Sequence, residues 1–327
     1  MSVYIEAVRQ IVPGRAAFTE NDIPDLSGKV YMVTGANTGV GKEVAQILYS
    51  KNATVWVTSR NEEKGRNAMQ SIQEAFPSST GKLIYLYLDL SDLTKVKKAA
   101  EIFVAEEKQL HVLFNNAGVM KPPEGSKSAQ GYELQIGTNN LGPFLLTQLL
   151  TPTLIETAKV SPEGSVRVVW VSSSAAEHLL PCAGGMDVDN LDYHREIFYA
   201  YKYGVSKAGN YYHATEYARR HRKDGIVSLS GNPGNLKTEL DRNCNTLEMI
   251  FRKATVYPPI YGAYTELFAG LSPEVTLEKT GSWLAPWGRF ASIRKDLLQG
   301  SKPQSEGGTG IAQRFWAWTE EQVKPYL

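Results

Sequence analysis

Tyr203 and Lys207 are the residues in this chain whose types and spacing point most directly to chemistry. Four positions apart in the run Tyr203-Gly204-Val205-Ser206-Lys207, they share one face of a helix and can address one ligand together. A phenol beside an ammonium is a two-way proton carrier, because the positive charge stabilises the phenolate and lowers an ordinary pKa of ~10. Such a pair suits a reaction in which a proton reaches a carbonyl oxygen while hydride reaches its carbon. A hydroxyl beside the same oxygen would act as an oxyanion site does, and Val171-Ser172-Ser173-Ser174 offers three. The spacing alone is weak. The chain has 17 tyrosines, and Tyr199-Ala200-Tyr201-Lys202-Tyr203 reads equally as a packing stripe, although only Tyr203 has a lysine four residues on.

A glycine-rich loop indicates what the pair would face. The run Val30–Thr34 leads into Gly35-Ala36-Asn37-Thr38-Gly39-Val40-Gly41, and a helical pattern follows at Lys42. Glycines let the chain turn tightly and approach a pyrophosphate, which the free N–H groups and dipole of the next helix hold. The spacing G-x-x-x-G-x-G differs from the G-x-G-x-x-G fingerprint, but a place between strand and helix lifts it above an ordinary turn. The second strand ends in Val57-Thr58-Ser59-Arg60-Asn61, without the acid that binds a ribose 2′-hydroxyl in NAD sites. An arginine there suits a 2′-phosphate and Ser59 can add a hydrogen bond, so NADP(H) is expected in preference to NAD(H). The plainer alternative is that Arg60 is a solvated loop charge.

A scaffold must hold these positions, and the rest of the text supplies one. Short apolar runs at Val30–Thr34, Thr54–Thr58, Leu83–Leu88, Val112–Phe114, Val166–Val171, Ile226–Leu229 and, more weakly, Ser282–Leu284 alternate with helical patterns at about 41–51, 62–75, 93–107, 133–156 and 204–222. Near-continuous apolar strands belong to a parallel sheet covered on both faces. Repeated βαβ units give an α/β fold of Rossmann type, a right-handed doubly wound sheet of about seven strands. No linker divides it, so residues 28–327 are expected to form a single domain behind an N-terminal arm, 1–27. Gly300–Gly310 reads as a flexible loop before a short aromatic C-terminal helix. Composition agrees: 327 residues, 42% hydrophobic, 21% charged and a net charge of +1 exclude global disorder and carry no electrostatic footprint for nucleic acid. The cysteines Cys182 and Cys244 make neither a disulfide framework nor a metal cluster, no signal peptide is evident, and no apolar run reaches the ~20 residues of a membrane span. A cytoplasmic protein is expected.

Asn115-Asn116-Ala117-Gly118 after the fourth strand and the serines after the fifth complete an ordered set of motifs. Together these residues resemble the short-chain dehydrogenase/reductase family over about 28–240. The segments Gly131-Tyr132-Glu133 and Asn139-Asn140-Leu141-Gly142-Pro143-Phe144 look most like its retinol-dehydrogenase-like group, which includes fungal NADPH-dependent reductases. The resemblance implies that Tyr203 is the proton donor and acceptor, with Lys207 its electrostatic partner and a ligand of the nicotinamide ribose. It implies Ser173 as the substrate-orienting serine, with Ser172 and Ser174 one register away. Asn139 matches an asparagine that orders a water in a proton relay, with Asn140 competing for the role. Asp89 and Leu90 would meet the adenine, where Asp89 equally suits a turn or cap. Asn116, Ala117 and Gly118 would line the cofactor groove with Gly35, Asn37, Thr38, Gly39, Val40 and Gly41, and Pro233, Gly234, Leu236 and Thr238 would pack by the nicotinamide.

An oxidoreductase that interconverts an aldehyde or ketone with an alcohol is the expected activity; a catalytically silent NADP(H)-sensing protein is the alternative. Residues 175–202 and 239–280 are expected to shape the substrate mouth. Leu179, Leu180, Met249, Ile250, Phe251, Tyr257 and Tyr261 suggest an apolar substrate, though they suit core or interface equally. The small-molecule substrate is the main partner; a second copy of the chain, as a homodimer, is a further candidate.

Overall fold

The apolar runs form strands and the amphipathic stretches cover them. In the structure, a computed structural model that describes Gln10 and residues 12–238 and 256–327, the order is β1 (Val30–Val33), α1 (Gly39–Ser50), β2 (Thr54–Ser59), α2 (Glu62–Ala75), β3 (Lys82–Tyr87), α3 (Leu93–Glu106) and β4 (Val112–Asn115). There follow α4 (Gly142–Lys159), β5 (Val166–Val171), the short α5 (Ala175–His178), α6 (Tyr199–His221), β6 (Ile226–Gly231), α7 (Pro259–Leu271), β7 (Trp283–Ala285), β8 (Arg289–Ala291), α8 (Lys295–Ser301) and α9 (Ile311–Val323).

The strands pair in the order β3-β2-β1-β4-β5-β6-β7-β8. All neighbours are parallel except β8, which returns antiparallel to β7. This eighth strand is one more than the sequence pattern indicates. The order reverses between β1 and β4, and a doubly wound sheet opens its binding crevice at the carboxyl ends of such a pair. Every residue of β1, β4, β5 and β6 is buried. Two apolar layers result. Phe144, Trp170, Tyr211 and Trp316 belong to one, together with α3, α4, α6 and α9; Val44, Phe114, Leu229 and Phe268 belong to the other, with α1 and α7.

Residues of the N-terminal arm enter the second layer: Phe18, Ile23 and Leu26 are buried, and Phe18 meets Phe268 edge-on at 6.1 Å. The stretch Gly300–Gly310 is a tightly closed turn. Bonds from Gly308 N to Pro303 O and from Gly310 N to Lys302 O fasten it, and Gly300 lies against the Tyr212 hydroxyl so closely that a Cβ would fall 2.2 Å from that oxygen. Among the described residues no helix is long and apolar enough to cross a membrane.

Candidate active site

At the crevice between β1 and β4 opens a cleft of about 920 Å³. Local structure explains why its floor can hold an anion. Helices α2 and α3 are capped by their own side chains, Asn61 Oδ1 accepting from Lys64 N at 2.8 Å and Asp92 Oδ1 from Thr94 N at 3.0 Å. Helix α1 has no such cap: Thr38 makes no side-chain bond to its first turn, and no acidic residue stands there. Its N–H groups are thus left to a ligand. Gly35 and Gly39 take positive φ, +68° and +57°, and a Cβ on Gly35 would come within 3.0 Å of the Ala117 Cβ.

Gly35, Asn37, Thr38, Gly39 and Val40 line the cleft; Gly41 does not. Gly41 is instead the packing glycine, where a Cβ would fall 2.5 Å from Asn116 Nδ2 and 2.7 Å from Gly35 O. Asn116 braces the loop from beneath, donating to Thr34 O at 2.7 Å, while Ala117 N donates to Thr34 Oγ1 at 2.9 Å. Ser59 and Arg60 line one end of the cleft, and Lys64, which the sequence reading missed, joins them from the first turn of α2. Ser59 already donates to Asn61 O at 2.6 Å. Asp89 and Leu90 line the same region, with Asp89 Oδ1 accepting from Ser91 N and Ser91 Oγ at 2.9 and 2.6 Å. Asn116, Ala117, Gly118, Pro233, Gly234, Leu236 and Thr238 form the walls. The uncapped helix, the close-packed glycines and the two cations fit a phosphorylated dinucleotide.

At the other end lie Tyr203, Lys207 and the three serines. Tyr203 is 6% exposed and packs with Met120, Ala175 and Leu179. Lys207 Nζ stands 5.8 Å from the Tyr203 ring centroid and donates to Val171 O at 2.8 Å. Burial pushes the Lys207 ammonium down to about 8, opposed by the charge of Glu266. Ser172 is committed to the scaffold, donating to Lys207 O at 2.7 Å. Ser173 Oγ accepts from Ala175 N at 3.2 Å, which leaves its proton to donate into the cleft.

Asn139 is fully buried in a π-helical turn, Gly137–Leu141, that opens α4. Its Oδ1 accepts from Val119 N at 2.8 Å, and its Nδ2 donates to Val119 O and Ser206 Oγ, both at 2.9 Å. A Cβ on Gly118 would lie 3.1 Å from Asn139 Oδ1 and 3.5 Å from Lys207 Nζ, so the asparagine sits behind the groove wall, near the ammonium. Asn140 points elsewhere, to Ser206 O and Asn210 Oδ1.

Of the apolar candidates, Leu179 reaches the cleft. Leu180 packs against the core, and Tyr257 and Tyr261 close on Trp287, each at 4.7 Å. Met249, Ile250 and Phe251 lie outside the described residues. Met120, Lys121, Thr138 and His178 also line the cleft and were not anticipated. Lys121 takes φ +46°, a rare conformation for a side-chain-bearing residue that its sequence neighbourhood does not announce. Among the described residues no cluster of metal ligands occurs.

The family described as short chain dehydrogenase matches residues 29–184. A short-chain dehydrogenase/reductase of Phomopsis amygdali is 55% identical over 323 residues, covering 97% of this chain and 96% of its own. Short-chain dehydrogenase/reductase bet4 of Neocamarosporium betae is 48% identical over 321 residues, 97% of this chain and 93% of its own. The solved structure of a Pseudomonas aeruginosa RhlG/NADP active-site complex superposes with a TM-score of 0.62 over 80% of this chain and 94% of that one. At 23% identity that likeness concerns the fold.

Proposed function

The chain belongs to the short-chain dehydrogenase/reductase family, and from that premise we propose that it is an NADP(H)-dependent oxidoreductase interconverting a carbonyl compound and an alcohol. The observation that carries this reading is the convergence of Tyr203, Lys207 and Ser173 at one end of a cleft whose other end holds Arg60 and Lys64. The uncapped start of α1 lies between the two ends.

The residues divide the work by chemistry. Ser173 donates its free proton to the substrate oxygen and holds it beside the Tyr203 phenol. Tyr203 delivers a proton to that oxygen in reduction and removes one in oxidation. Lys207, its ammonium 5.8 Å from the ring, favours the phenolate that Tyr203 becomes. Arg60 and Lys64 take the 2′-phosphate, and the N–H groups of α1 take the pyrophosphate. The bound dinucleotide supplies or accepts the hydride. Asn139, tied to Val119 and Ser206, fixes the wall beside Lys207 and stands where a relay from that ammonium would begin. Met120, Ala175 and Leu179 give the reacting end an apolar lining, which favours an apolar aldehyde or ketone.

Initial rates over a panel of aldehydes and ketones, with NADPH and NADH in parallel, test the reading. Turnover with NADPH should exceed that with NADH. Tyr203→Phe should retain NADPH binding and lose roughly 10²–10⁴-fold in turnover. Turnover retained by that variant defeats the mechanism; NADPH binding with no oxidation across the panel defeats the enzyme.

A further inference from the structure

Glu266 is an expensive side chain to bury. It stands in the middle of α7, 2% exposed, and neither carboxyl oxygen has a hydrogen-bond partner. A buried carboxyl without hydrogen bonds costs stability in either protonation state, and far more when ionised. A glutamine or leucine would serve helix packing at less cost, so the position calls for a reason.

The surroundings supply one. A small cavity of about 10 Å³ is bounded by Glu266, Val171, Gly231 and Pro233. Val171 is the residue whose carbonyl accepts from Lys207 Nζ at 2.8 Å and from Asn210 Nδ2 at 2.9 Å, and Pro233 also lines the main cleft. Helix α7 belongs to one apolar layer and α6, which carries Lys207, to the other. Glu266 therefore approaches the lysine from the opposite face of the sheet, at the carboxyl ends of β5 and β6. Burial pushes Glu266 up to about 8 and Lys207 down to about 8, and each charge resists the displacement of the other. The other charged groups that face α7 are Glu20 and Glu43, both of which act on Tyr264, and Arg167 of β5. None of them acts on Glu266. Arg167 is spent on four backbone carbonyls, and Tyr261 and Tyr264 of α7 itself are likewise not coupled to it.

We propose that Glu266 is a positioning residue for the reductase: as pH rises its carboxylate becomes the counter-charge that holds the buried Lys207 ammonium in its protonated form where it faces Tyr203. This rests on the proposed function, under which a discharged Lys207 would lose both its hold on the nicotinamide ribose and its support of the Tyr203 phenolate. The two ionisations are coupled, so the pair takes up and releases protons as a unit.

Glu266→Gln keeps the shape and removes the charge. The pH dependence of NADPH affinity, read by fluorescence without turnover, and that of kcat/KM should be measured for wild type, E266Q and E266D. In E266Q the alkaline loss of both quantities should move to lower pH by about one unit or more, with E266D between E266Q and wild type. A merely structural role would scale the values at every pH and leave both profiles in place, which would overturn the proposal. Should E266Q fail to fold, E266D decides by the same criterion, with a smaller displacement in the same direction. Wild-type protein that binds NADPH but turns nothing over would defeat the reductase reading alone, because the affinity profile still reports Lys207.

Discussion

Ser172 and Lys207 are tied reciprocally: the serine hydroxyl donates to the lysine's main-chain carbonyl at 2.7 Å, and the lysine's ammonium donates to the carbonyl of Val171, next to the serine, at 2.8 Å. This knot fastens the end of β5 to the first turns of α6, so the strand that carries the serines and the helix that carries Tyr203 share one register. It also assigns the adjacent hydroxyls different tasks. Ser172 is consumed by the scaffold, whereas Ser173 retains a proton to give.

The contrast is testable with two small substitutions. Ser172→Ala leaves a buried carbonyl short of a donor and should destabilise the protein by ~1 kcal/mol, with turnover falling modestly as Lys207 loosens. Ser173→Ala should cost no more stability than Ser172→Ala, since only the long 3.2 Å bond from Ala175 N is lost, and should lower kcat/KM by ~10²-fold, the scale of losing one donor at an oxyanion. Urea denaturation beside initial rates separates them. The reverse pattern would exchange the two roles.

Cofactor choice is expected to rest on two cations at the end of β2. Arg60→Ala should lower kcat/KM for NADPH roughly tenfold while hardly touching NADH, since only the 2′-phosphate is lost as a partner. Lys64→Ala should add to it, and the double variant should approach indifference between the cofactors. No loss with either cofactor would make these residues solvated loop charges, and equal losses with both would place them on a part the two cofactors share.

The part of the molecule that builds the cleft was legible in the sequence because its physics is local. Parallel strands covered on both faces are mostly apolar, so β1 to β6 stand out as runs despite Arg167 in β5 and Ser228 and Ser230 in β6; tight turns need glycine, and a spacing of four puts Tyr203 and Lys207 on one helix face. What escaped depends on contacts distant in the chain. Strand β8 has three half-buried residues and exists because Trp287 and Gly288 take positive φ, +68° and +80°, to turn the chain back. Helix α7 begins at Pro259 and includes Gly262 and Gly270, residues that weaken a helical signal. Yet Gly262 is needed there, since a Cβ would fall 2.2 Å from Leu236 Cδ1. Glu266 within it reads as one more acid until the sheet brings Lys207 near.

Arg167 shows what a buried charge does when it is fully satisfied. Its guanidinium donates to Gly164 O, Ala269 O, Ser272 O and Val275 O at 2.9–3.1 Å, holding the end of α7 and the chain beyond it onto β5. Carbonyls at a helix C-terminus favour a cation. Arg167→Met should destabilise the fold by roughly 3 kcal/mol or more, because several buried carbonyls lose their donor together. Urea titration checks this, and the folded fraction should keep wild-type NADPH affinity. A loss under ~1 kcal/mol would mean that water replaces the guanidinium there.

The same burial makes stability depend on acid through His213. The ring is fully buried, stacked on Phe315 at 4.6 Å and close to Phe144 and Trp170, with Nε2 bonded to Thr319 Oγ1 and Nδ1 without a partner. Burial pushes the imidazole down to about 3. An unfolded histidine binds its proton near pH 6.5, so between these values the unfolded chain holds more protons than the folded one, and stability falls as pH drops through that window. By pH 5 the penalty from this residue is about 2 kcal/mol. His213→Phe keeps an aromatic ring in the cage and removes the titration; Thr319 Oγ1 still donates to Phe315 O at 2.8 Å. Unfolding free energies at pH 7 and pH 5 should therefore converge in the variant by about 2 kcal/mol relative to wild type. An unchanged difference between the two pH values would mean that the ring accepts its proton without leaving the fold.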